Sequence, residues 1–411
     1  MKVLLFEQWS GGHYSNYMNC LVPEIARLST KLIIAGDASV HGSPSALAWA
    51  AHANVEFAPV LPAVSIAHRA IDRYAAARNL ITCLRTVRPV FTLLPSADAQ
   101  STMLAALQVL NFNIAKCFGP IEGTFHAGYG YSASSERDRL KEFVYSQTYR
   151  RLRFASVNFV NFSYYEYVVA KRLIEPGRIY LVGDPVPQAP RVGQHTARMR
   201  LGLDPDGRYL GLLGGVDRRK AIPQLLAAFR AANLGRTVRL LLAGRLEASF
   251  AALIAAQYQD LVREGRIVVL DRFLTDDELN FGYEALDVAT AVYYRFPGLS
   301  SLALKAVAAG TPLVAHDFGW LRAVIRRFEL GECTNIFDQA EFAKALRSAL
   351  DRGRNSGQVE AVRRLLAFHT EKNFVAKMTR GLRHATGAPD EVALDWDWVM
   401  EAIPPERRHF H

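Results

Sequence analysis

Short apolar runs alternate with amphipathic helical patterns from the first residues of the chain. Residues 3–6 are apolar throughout, and a helical pattern follows over residues 14–28. Strands that are apolar on both faces are typical of a parallel sheet with helices on both sides. Further patterns predict strands at 31–35, 55–58 and 90–94, helices at 46–53 and 66–87, and a last strand at 157–161 or 179–182. The first half therefore predicts an open, doubly wound α/β domain.

A proline-rich segment divides the chain. Residues 183–190 contain three prolines, which are incompatible with a continuous helix. The alternation then restarts, with strands predicted at 209–213, 238–242, 267–270, 287–293 and 312–315, and helices at 222–232, 276–283, 299–309, 341–350 and 358–382. The length of 411 residues also exceeds the ~250–300 residues of a single hydrophobic core. The sequence therefore predicts two α/β domains.

Composition narrows the class of partner. Hydrophobic residues make up 50% of the chain, which is globular composition and excludes a disordered protein. The net charge of +10 favours an anionic partner, which can be nucleic acid, an anionic membrane or a phosphorylated substrate. Nucleic acid is disfavoured because no known nucleic-acid-binding module accompanies the charge.

The cysteines and the apolar runs indicate the cellular compartment of the protein and whether it binds a metal. Cys20, Cys83, Cys117 and Cys333 lack the paired spacing of a zinc site or a disulfide framework. Reduced thiols, no metal and a cytoplasmic location are therefore expected. The first apolar run ends at Glu7, which is unlike a signal peptide. No run approaches the ~18 apolar residues of a membrane span, although peripheral contact with the inner face of a membrane stays open.

Turns that follow predicted strands are the candidate ligand sites, because ligands of open parallel sheets bind outside the carboxyl ends of the strands. Gly11 and Gly12 follow the first strand at a helix start, where free amides favour anions. A tight turn without a ligand explains them equally well.

A second glycine turn carries cations, in the order Gly214, Gly215, Val216, Asp217, Arg218, Arg219, Lys220. Cations at a helix start oppose its dipole, so they are not there to stabilise the helix, and they can bind a diphosphate. A solvated basic surface is the alternative interpretation.

The third turn contains Gly298, Leu299, Ser300 and Ser301, whose amides and hydroxyls can hold a phosphate or simply cap the next helix. Lys305 lies one helical turn further on the same face. The fourth candidate is His126, in a predicted loop over residues 122–128.

Three segments of the second half occur in a characteristic order. They are residues 214–220, the apolar run that ends at Gly244, and residues 298–315. Over about residues 180–325 the sequence resembles the retaining glycosyltransferases of family four. The resemblance implies the GT-B fold, in which two doubly wound, Rossmann-like domains face a cleft. Residues 1–185 would form the acceptor-side domain and residues 186–371 the donor-binding domain, with the C-terminal helix and tail, about 372–411, packing back on the first.

The same resemblance implies a nucleoside diphosphate sugar as donor and a hexosyltransferase reaction that retains configuration at the anomeric carbon. Backbone amides near Phe273 and Leu274 would hold the base. A histidine of the first domain would lie near the sugar, with His126 the first candidate and His13 the second. The donor-binding set is then Gly11, Gly12, Gly214, Gly215, Arg218, Arg219, Lys220, Gly244, Phe273, Leu274, Gly298, Leu299, Ser300, Ser301 and Lys305.

Three departures from the family pattern keep other functions open. Gly215 stands where the family has an arginine, and Pro297 and Lys305 stand where it has two glutamates. A lysine cannot accept hydrogen bonds from ribose hydroxyls. The chain is therefore predicted to transfer sugar to a polysaccharide, lipid-linked or small-molecule acceptor, or to be an impaired homologue that binds nucleotide sugar or serves as a partner subunit. An epimerase or hydrolase would need a carboxylate such as Glu7, Asp98 or Glu122.

Residues 141–154 mix aromatic residues with arginines. Such a segment suits an anionic membrane surface and a lipid-linked acceptor. A solvated helix with a buried aromatic face explains the same pattern.

Overall fold

The computed structural model describes residues 1–10, 13–65, 70–109, 118–126, 136–186, 190–355 and 357–408. The chain divides into two compact units. The first contains Met1–Pro185 and Phe368–Asp395, and the second contains Val186–Ala367 and Trp396–His411. Each unit is built around one parallel sheet, which confirms the α/β class predicted from the apolar runs.

The first unit has a seven-stranded sheet in the order β3-β2-β1-β4-β5-β6-β7, whose registered pairs are all parallel. Its strands are β1 Lys2–Phe6, β2 Lys31–Ala35, β3 Val55–Phe57, β4 Phe91–Leu94, β5 Ile121–Phe125, β6 Ser156–Phe159 and β7 Ile179–Leu181. Within Met1–Pro185 its helices are His13–Leu28, Ala38–His41, Ala46–Ala50, Ala70–Val87, Asp98–Val109, Glu136–Arg151 and Phe162–Ala170. The strand order reverses between β1 and β4, which is where open parallel sheets bind ligands.

The second unit has a six-stranded sheet in the order β10-β9-β8-β11-β12-β13, with its switch point between β8 and β11. Its strands are β8 Arg208–Leu213, β9 Val238–Ala243, β10 Ile267–Leu270, β11 Val288–Ala291, β12 Leu313–His316 and β13 Gly331–Thr334. Its helices are Gln194–Arg200, Ile222–Ala231, Ala248–Gln257, Gln259–Arg263, Asp276–Ala285, Ser301–Ala308, Gly319–Phe328, Gln339–Arg352, Val359–Phe368 and Trp396–Glu401.

The long C-terminal helix predicted over residues 358–382 is wrong, because the structure has three helices there. They are Val359–Phe368, Glu371–Met378 and Arg380–Thr386. The first break occurs where the Thr370 hydroxyl caps the next helix by accepting from Asn373 N at 3.3 Å. The Asn373 side chain also donates to Phe368 O at 2.8 Å and satisfies a carbonyl at the helix end.

The last residues divide differently from the predicted boundary at about 372. Residues Phe368–Asp395 lie in the first unit, where Phe374, Met378 and Leu382 complete its hydrophobic core. Residues Trp396–His411 lie in the second unit, where the Trp396 ring packs against Phe328 with centroids 6.4 Å apart. Within the described ranges, no helix is long and apolar enough to cross a bilayer.

Candidate functional site

The turn after β8 is joined to the turn after β9 by main-chain contacts. Val216 N donates to Arg245 O at 2.9 Å, and Glu247 N donates to Val216 O at 3.0 Å. Gly214 has φ +79° and Gly244 has φ +138°, conformations that favour glycine. A Cβ atom on Gly244 would overlap the carbonyl oxygen of Gly214. Both glycines are therefore required for this close approach.

Lys220 is turned into the protein, in contrast to the solvated basic surface that the sequence left open. Lys220 is 3% exposed, and its Nζ donates to Leu213 O at 3.0 Å. The same Nζ lies 5.9 Å from the centroid of the Tyr293 ring. Burial lowers the pKa of the Lys220 ammonium to about 8. The turn after β8 thus holds a desolvated cation at its base.

The turn after β11 lies next to the Lys220 ammonium. The Tyr293 hydroxyl lies 3.5 Å from Ser300 Oγ. The Leu302 side chain lies against Gly214, where an added Cβ would be 2.9 Å from Leu302 Cδ1. A cavity of about 10 Å³, enough for about one water, lies between Lys220, Tyr293 and Leu302. The two predicted turns of the second unit are therefore neighbours at its switch point.

The two arginines of the first turn lie at the surface. Arg219 makes a two-pronged ion pair with Asp217, at 3.0 Å and 2.8 Å, and this pairing raises the pKa of the guanidinium. Arg218 is exposed, and its main-chain N donates to Glu247 Oε2 at 3.0 Å. Gly215 is exposed beside them, so its position has room for a ligand but no charge. Of the three consecutive cations, only Lys220 is buried.

Ser300 acts as a helix cap, since its hydroxyl accepts from Ala303 N at 3.3 Å. Ser301 begins the helix, and the glycine and leucine before it lead from β11 into this turn. Lys305 is held at the neighbouring helix, with Nζ 3.1 Å from Asn280 Oδ1 and 3.4 Å from Asp276 Oδ1. Its side chain is 9% exposed. Lys305, at the position where the sequence resemblance implies a carboxylate, is therefore a largely buried, paired lysine.

Phe273 and Leu274 follow β10 at the same carboxyl edge of the sheet. The Phe273 ring is 80% exposed, whereas Leu274 is 5% exposed and anchors the loop. The next helix starts with a capping box between Thr275 and Glu278. The loop therefore presents an exposed aromatic side chain immediately before a capped helix start.

The first unit has a polar cluster at its own switch point. Glu7 follows β1, Ser96 and Asp98 follow β4, and His126 follows β5. His126 N donates to Asp98 Oδ2 at 2.9 Å, and His126 Nε2 lies 2.9 Å from Pro95 O. A carbonyl oxygen only accepts, so Nε2 carries the ring proton. Ser96 Oγ lies 3.4 Å from the same nitrogen.

The carboxylates considered from the sequence have different surroundings. Burial is the largest cause that raises the pKa of Glu7 to about 8, so its neutral acid predominates at pH 7. Burial likewise raises the pKa of Glu122 to about 7. Glu122 lies against Gly381 of the C-terminal helices rather than in the cluster. Asp98 is the carboxylate that directly contacts His126.

Three of the predicted site residues lie wholly or partly outside the described part of the chain, and two tyrosines of the site were not predicted from the sequence. Gly11 and Gly12 lie outside the described residues; His13 begins the first helix, and its side chain is also outside them. Tyr293 and Tyr17 were missed, although Tyr293 ended a predicted strand and so marked a carboxyl edge. The Tyr17 ring lies 5.2 Å from His126. Within the described ranges, no cluster of three or more His, Cys, Asp or Glu side chains could hold a metal ion.

Comparison with known sequences finds a family match within the second unit and a partial match to curated relatives. Residues 207–352 match the family described as "Glycosyl transferases group 1". A D-inositol 3-phosphate glycosyltransferase of Mycobacterium sp. (strain JLS) is 33% identical over 164 residues. That alignment covers 39% of this chain and 36% of the mycobacterial protein.

Comparison with solved structures covers nearly the whole chain at low sequence identity. A sucrose-phosphate synthase from Thermosynechococcus elongatus has a TM-score of 0.67 and 17% identity, and covers 95% of this chain and 100% of that one. Anabaena HepE, solved with UDP and glucose, has a TM-score of 0.60 and 15% identity, and covers 93% and 100%. These likenesses confirm the fold, and the family match confirms the resemblance noted in the sequence. Residues 207–352 therefore form a glycosyl transferases group 1 domain in a chain with the GT-B fold.

Proposed function

We propose that the protein is a glycosyltransferase that moves a sugar from a nucleoside diphosphate sugar to an acceptor. The observation that carries this proposal is the buried Lys220 between the glycine turn after β8 and Tyr293. The leaving nucleoside diphosphate gains negative charge as the bond to the sugar breaks. A fixed cation and helix-terminal amides, shielded from water, stabilise such charge. The UDP bound to the structurally similar HepE supports this class of donor.

His126 is the proposed residue beside the transferred sugar, with His13 as the second candidate. Its ring orientation is set by Pro95 O and its main chain by Asp98. A histidine held in this way presents a defined edge to a ligand, which suits a positioning or hydrogen-bonding role. Retention of anomeric configuration and transfer of a hexose are part of the proposal and rest on the family resemblance. The acceptor is a polysaccharide, a lipid-linked sugar or a small molecule.

An impaired homologue that binds nucleotide sugar or serves as a partner subunit is the second candidate. One observation favours it: the Lys305 ammonium donates to Asn280 and Asp276, and an ammonium has no lone pair with which to accept a hydrogen bond from ribose. Pro297 likewise supplies no carboxylate. Of the carboxylates that an epimerase or hydrolase would need, Glu122 lies against the C-terminal helices, whereas Glu7 and Asp98 lie at the switch point of the first unit.

A thermal-shift screen with UDP, GDP and ADP and their glucose conjugates tests donor binding. A ligand at about 100 times its dissociation constant stabilises the folded state by about 2.7 kcal/mol. Lys220→Ala should weaken nucleoside diphosphate binding by about tenfold or more, because it removes the desolvated cation. Lys344→Ala, which removes an exposed lysine, is the matched control and should bind as the wild type does.

Turnover separates the two candidates. Release of nucleoside diphosphate that depends on an added acceptor supports the glycosyltransferase, whereas release without an acceptor transfers the sugar to water and supports the hydrolase alternative. Binding with no release supports the impaired homologue. If no nucleoside diphosphate or conjugate binds, both candidates are lost, and unchanged affinity in Lys220→Ala removes that lysine from the donor site.

A further inference from the structure

Several arginines lie near the amino ends of the strands of the first sheet. The proposed reaction uses the opposite end of that sheet, where the strands end. The sequence left two interpretations for residues 141–154, a membrane-binding surface or a helix with a buried aromatic face. Tyr145, Tyr149 and Phe154 are 3%, 2% and 1% exposed, so these three aromatic residues belong to the core, whereas Phe143 is 61% exposed. The arginines of the segment lie outside it, where they are exposed to solvent.

These arginines border a cavity of about 710 Å³ in the first unit. Its lining includes Arg150 and Arg153, which precede β6, and Arg172, which precedes β7. Tyr165 and Val169 supply an aromatic and an aliphatic wall. The volume lies within the ~300–1,000 Å³ typical of small-molecule sites. The cavity lies at the amino ends of the strands, whereas the cluster around His126 follows their carboxyl ends, so the two are separate.

The charge around this cavity is largely uncompensated. Within the described part of the chain, Arg150, Arg153 and Arg172 form no ion pair and no side-chain hydrogen bond. Arg178 differs, because it donates to Leu152 O at 2.7 Å and to Phe154 O at 3.0 Å and so holds the chain before β6. The acidic residue of the lining, Glu175, has a side chain 78% exposed and lies 3.9 Å from Arg178.

Stabilisation of helix ends does not account for these cations. Helices Glu136–Arg151 and Phe162–Ala170 both end near the cavity, and each carboxyl end carries about half a negative charge. The two ends together amount to about one charge, whereas three unpaired arginines line the cavity. Arg151 and Lys171 stand at the same helix ends outside the lining and can offset the dipoles.

We propose that this cavity binds a phosphate group of a ligand other than the sugar donor. Guanidinium groups bind phosphate oxygens in pairs of charge-assisted hydrogen bonds, which an unpaired arginine can form without first breaking an ion pair. The walls formed by Tyr165 and Val169 would pack against the apolar part of the ligand. The phosphate belongs either to a lipid headgroup or to a soluble phosphorylated compound.

Two binding assays distinguish these sources. Inorganic pyrophosphate is titrated by calorimetry as the soluble probe. Phosphatidylcholine vesicles, with and without phosphatidic acid, are used in a sedimentation assay as the lipid probe. The test variant is the triple substitution Arg150→Ala, Arg153→Ala and Arg172→Ala. Arg151→Ala is the matched control, because this exposed neighbour interacts with Gln147 and does not line the cavity.

The wild type and Arg151→Ala should bind at least one probe, and the triple variant should bind it at least about tenfold more weakly, or about 1.4 kcal/mol. Binding of pyrophosphate at the turn after β8 is common to all variants, so only the difference between them reports on the cavity. The single variants give the same test if the triple variant does not fold. The proposal would be overturned if the wild type and the variants of Arg150, Arg153 and Arg172 bound equally, if neither probe bound, or if Arg151→Ala lost as much binding as the triple variant.

Discussion

At the scale of single residues, the site is defined by groups whose burial changes their chemistry. Lys220 is buried at the end of β8, and desolvation lowers the pKa of its ammonium to about 8. Glu7 is buried at the end of β1, and desolvation raises the pKa of its carboxyl to about 8. Both groups have a cost in their charged form that a bound ligand can change. Each therefore gives a pH-dependent prediction.

Lys220→Met should remove a pH dependence of stability. The pKa of Lys220 in the folded state, about 8, is below its ordinary value of 10.5, so the unfolded chain binds more protons between these values. The wild type should therefore become more stable as pH rises from about 8 to 10.5, by at most about 3–4 kcal/mol. Melting temperatures of wild type and variant measured at pH 7 and pH 10 check this.

The variant should be the more stable protein at pH 7, and its advantage should shrink at pH 10. Lys344→Met, at an exposed position, should follow the wild type at both pH values. Parallel melting curves for Lys220→Met and the wild type across this range would contradict the assignment of a desolvated ammonium.

Glu7→Gln should show the opposite dependence. The folded-state pKa of about 8 is above the ordinary value of 4.5, so the folded protein binds the extra proton between these values. Wild-type stability from this group is then fully present below pH 4.5 and is lost as pH rises towards 8. The melting temperature of the variant should therefore gain on the wild type from pH 5 to pH 8.

The control for this carboxyl is Glu264→Gln, at an exposed position. It should show no gain that depends on pH. A gap between Glu7→Gln and the wild type that stays constant from pH 5 to pH 8 would show that Glu7 is ionised throughout.

At the scale of elements, the candidate donor site depends on the turns that follow β8, β9 and β11. Each strand is short and buried, and each turn starts at the same edge of the sheet. The turns after β8 and β9 touch through Gly214 and Gly244, while Leu302 packs against Gly214 from the helix after β11. This packing, more than any single side chain, gives Lys220 its position.

Gly244→Ala should disrupt this arrangement. The added methyl would overlap Gly214 O, and the backbone at φ +138° is unfavourable for alanine. We expect a lower melting temperature and loss of nucleoside diphosphate binding, by at least about tenfold. Both are measured in the thermal-shift assay.

Gly235→Ala is the matched control, since an added Cβ there meets nothing within 4 Å. It should keep wild-type stability and binding. Normal donor binding by Gly244→Ala would show that the two turns need not touch.

At the scale of the whole molecule, the chain passes between its two compact units three times. It leaves the first unit after Pro185, returns at Phe368 and leaves again after Asp395. The returning segment is part of the first unit's core, because Phe374, Met378 and Leu382 are at most 1% exposed and pack with residues of the first strands and helices. The first unit is therefore incomplete without residues distant in sequence.

Phe374→Ala should destabilise the first unit by about 3–5 kcal/mol, the range for a buried phenylalanine. The ring is 0% exposed and lies 4.6 Å from the Tyr17 ring. Thermal unfolding, with limited proteolysis of residues 368–395 as a second readout, measures the effect. Val392→Ala, at a position 91% exposed, should change stability by no more than about 0.5 kcal/mol. A similar small change in Phe374→Ala would exclude the segment from the core.

Prediction from sequence succeeded where a local pattern was strong. The strands that were apolar on both faces were found, including β2 at its observed bounds, because their burial requires that pattern. β5 was read as a loop, since Ile121–Phe125 contains glutamate, glycine and threonine. Its Gly123 is needed because a Cβ there would lie 2.6 Å from the Phe154 ring. β13, Gly331–Thr334, was missed for a similar reason.

The sequence by itself determined the two α/β halves, the glycine turns at strand ends and the resemblance to glycosyltransferases, because these follow from local periodicity and order. Only the tertiary structure decided that Lys220 is buried against Tyr293 and that Lys305 is tied to Asn280. It also decided that the C-terminal segment breaks at His369, whose Nδ1 accepts from Asp184 N at 2.8 Å. These contacts join residues 25 to 185 positions apart, so no local pattern encodes them.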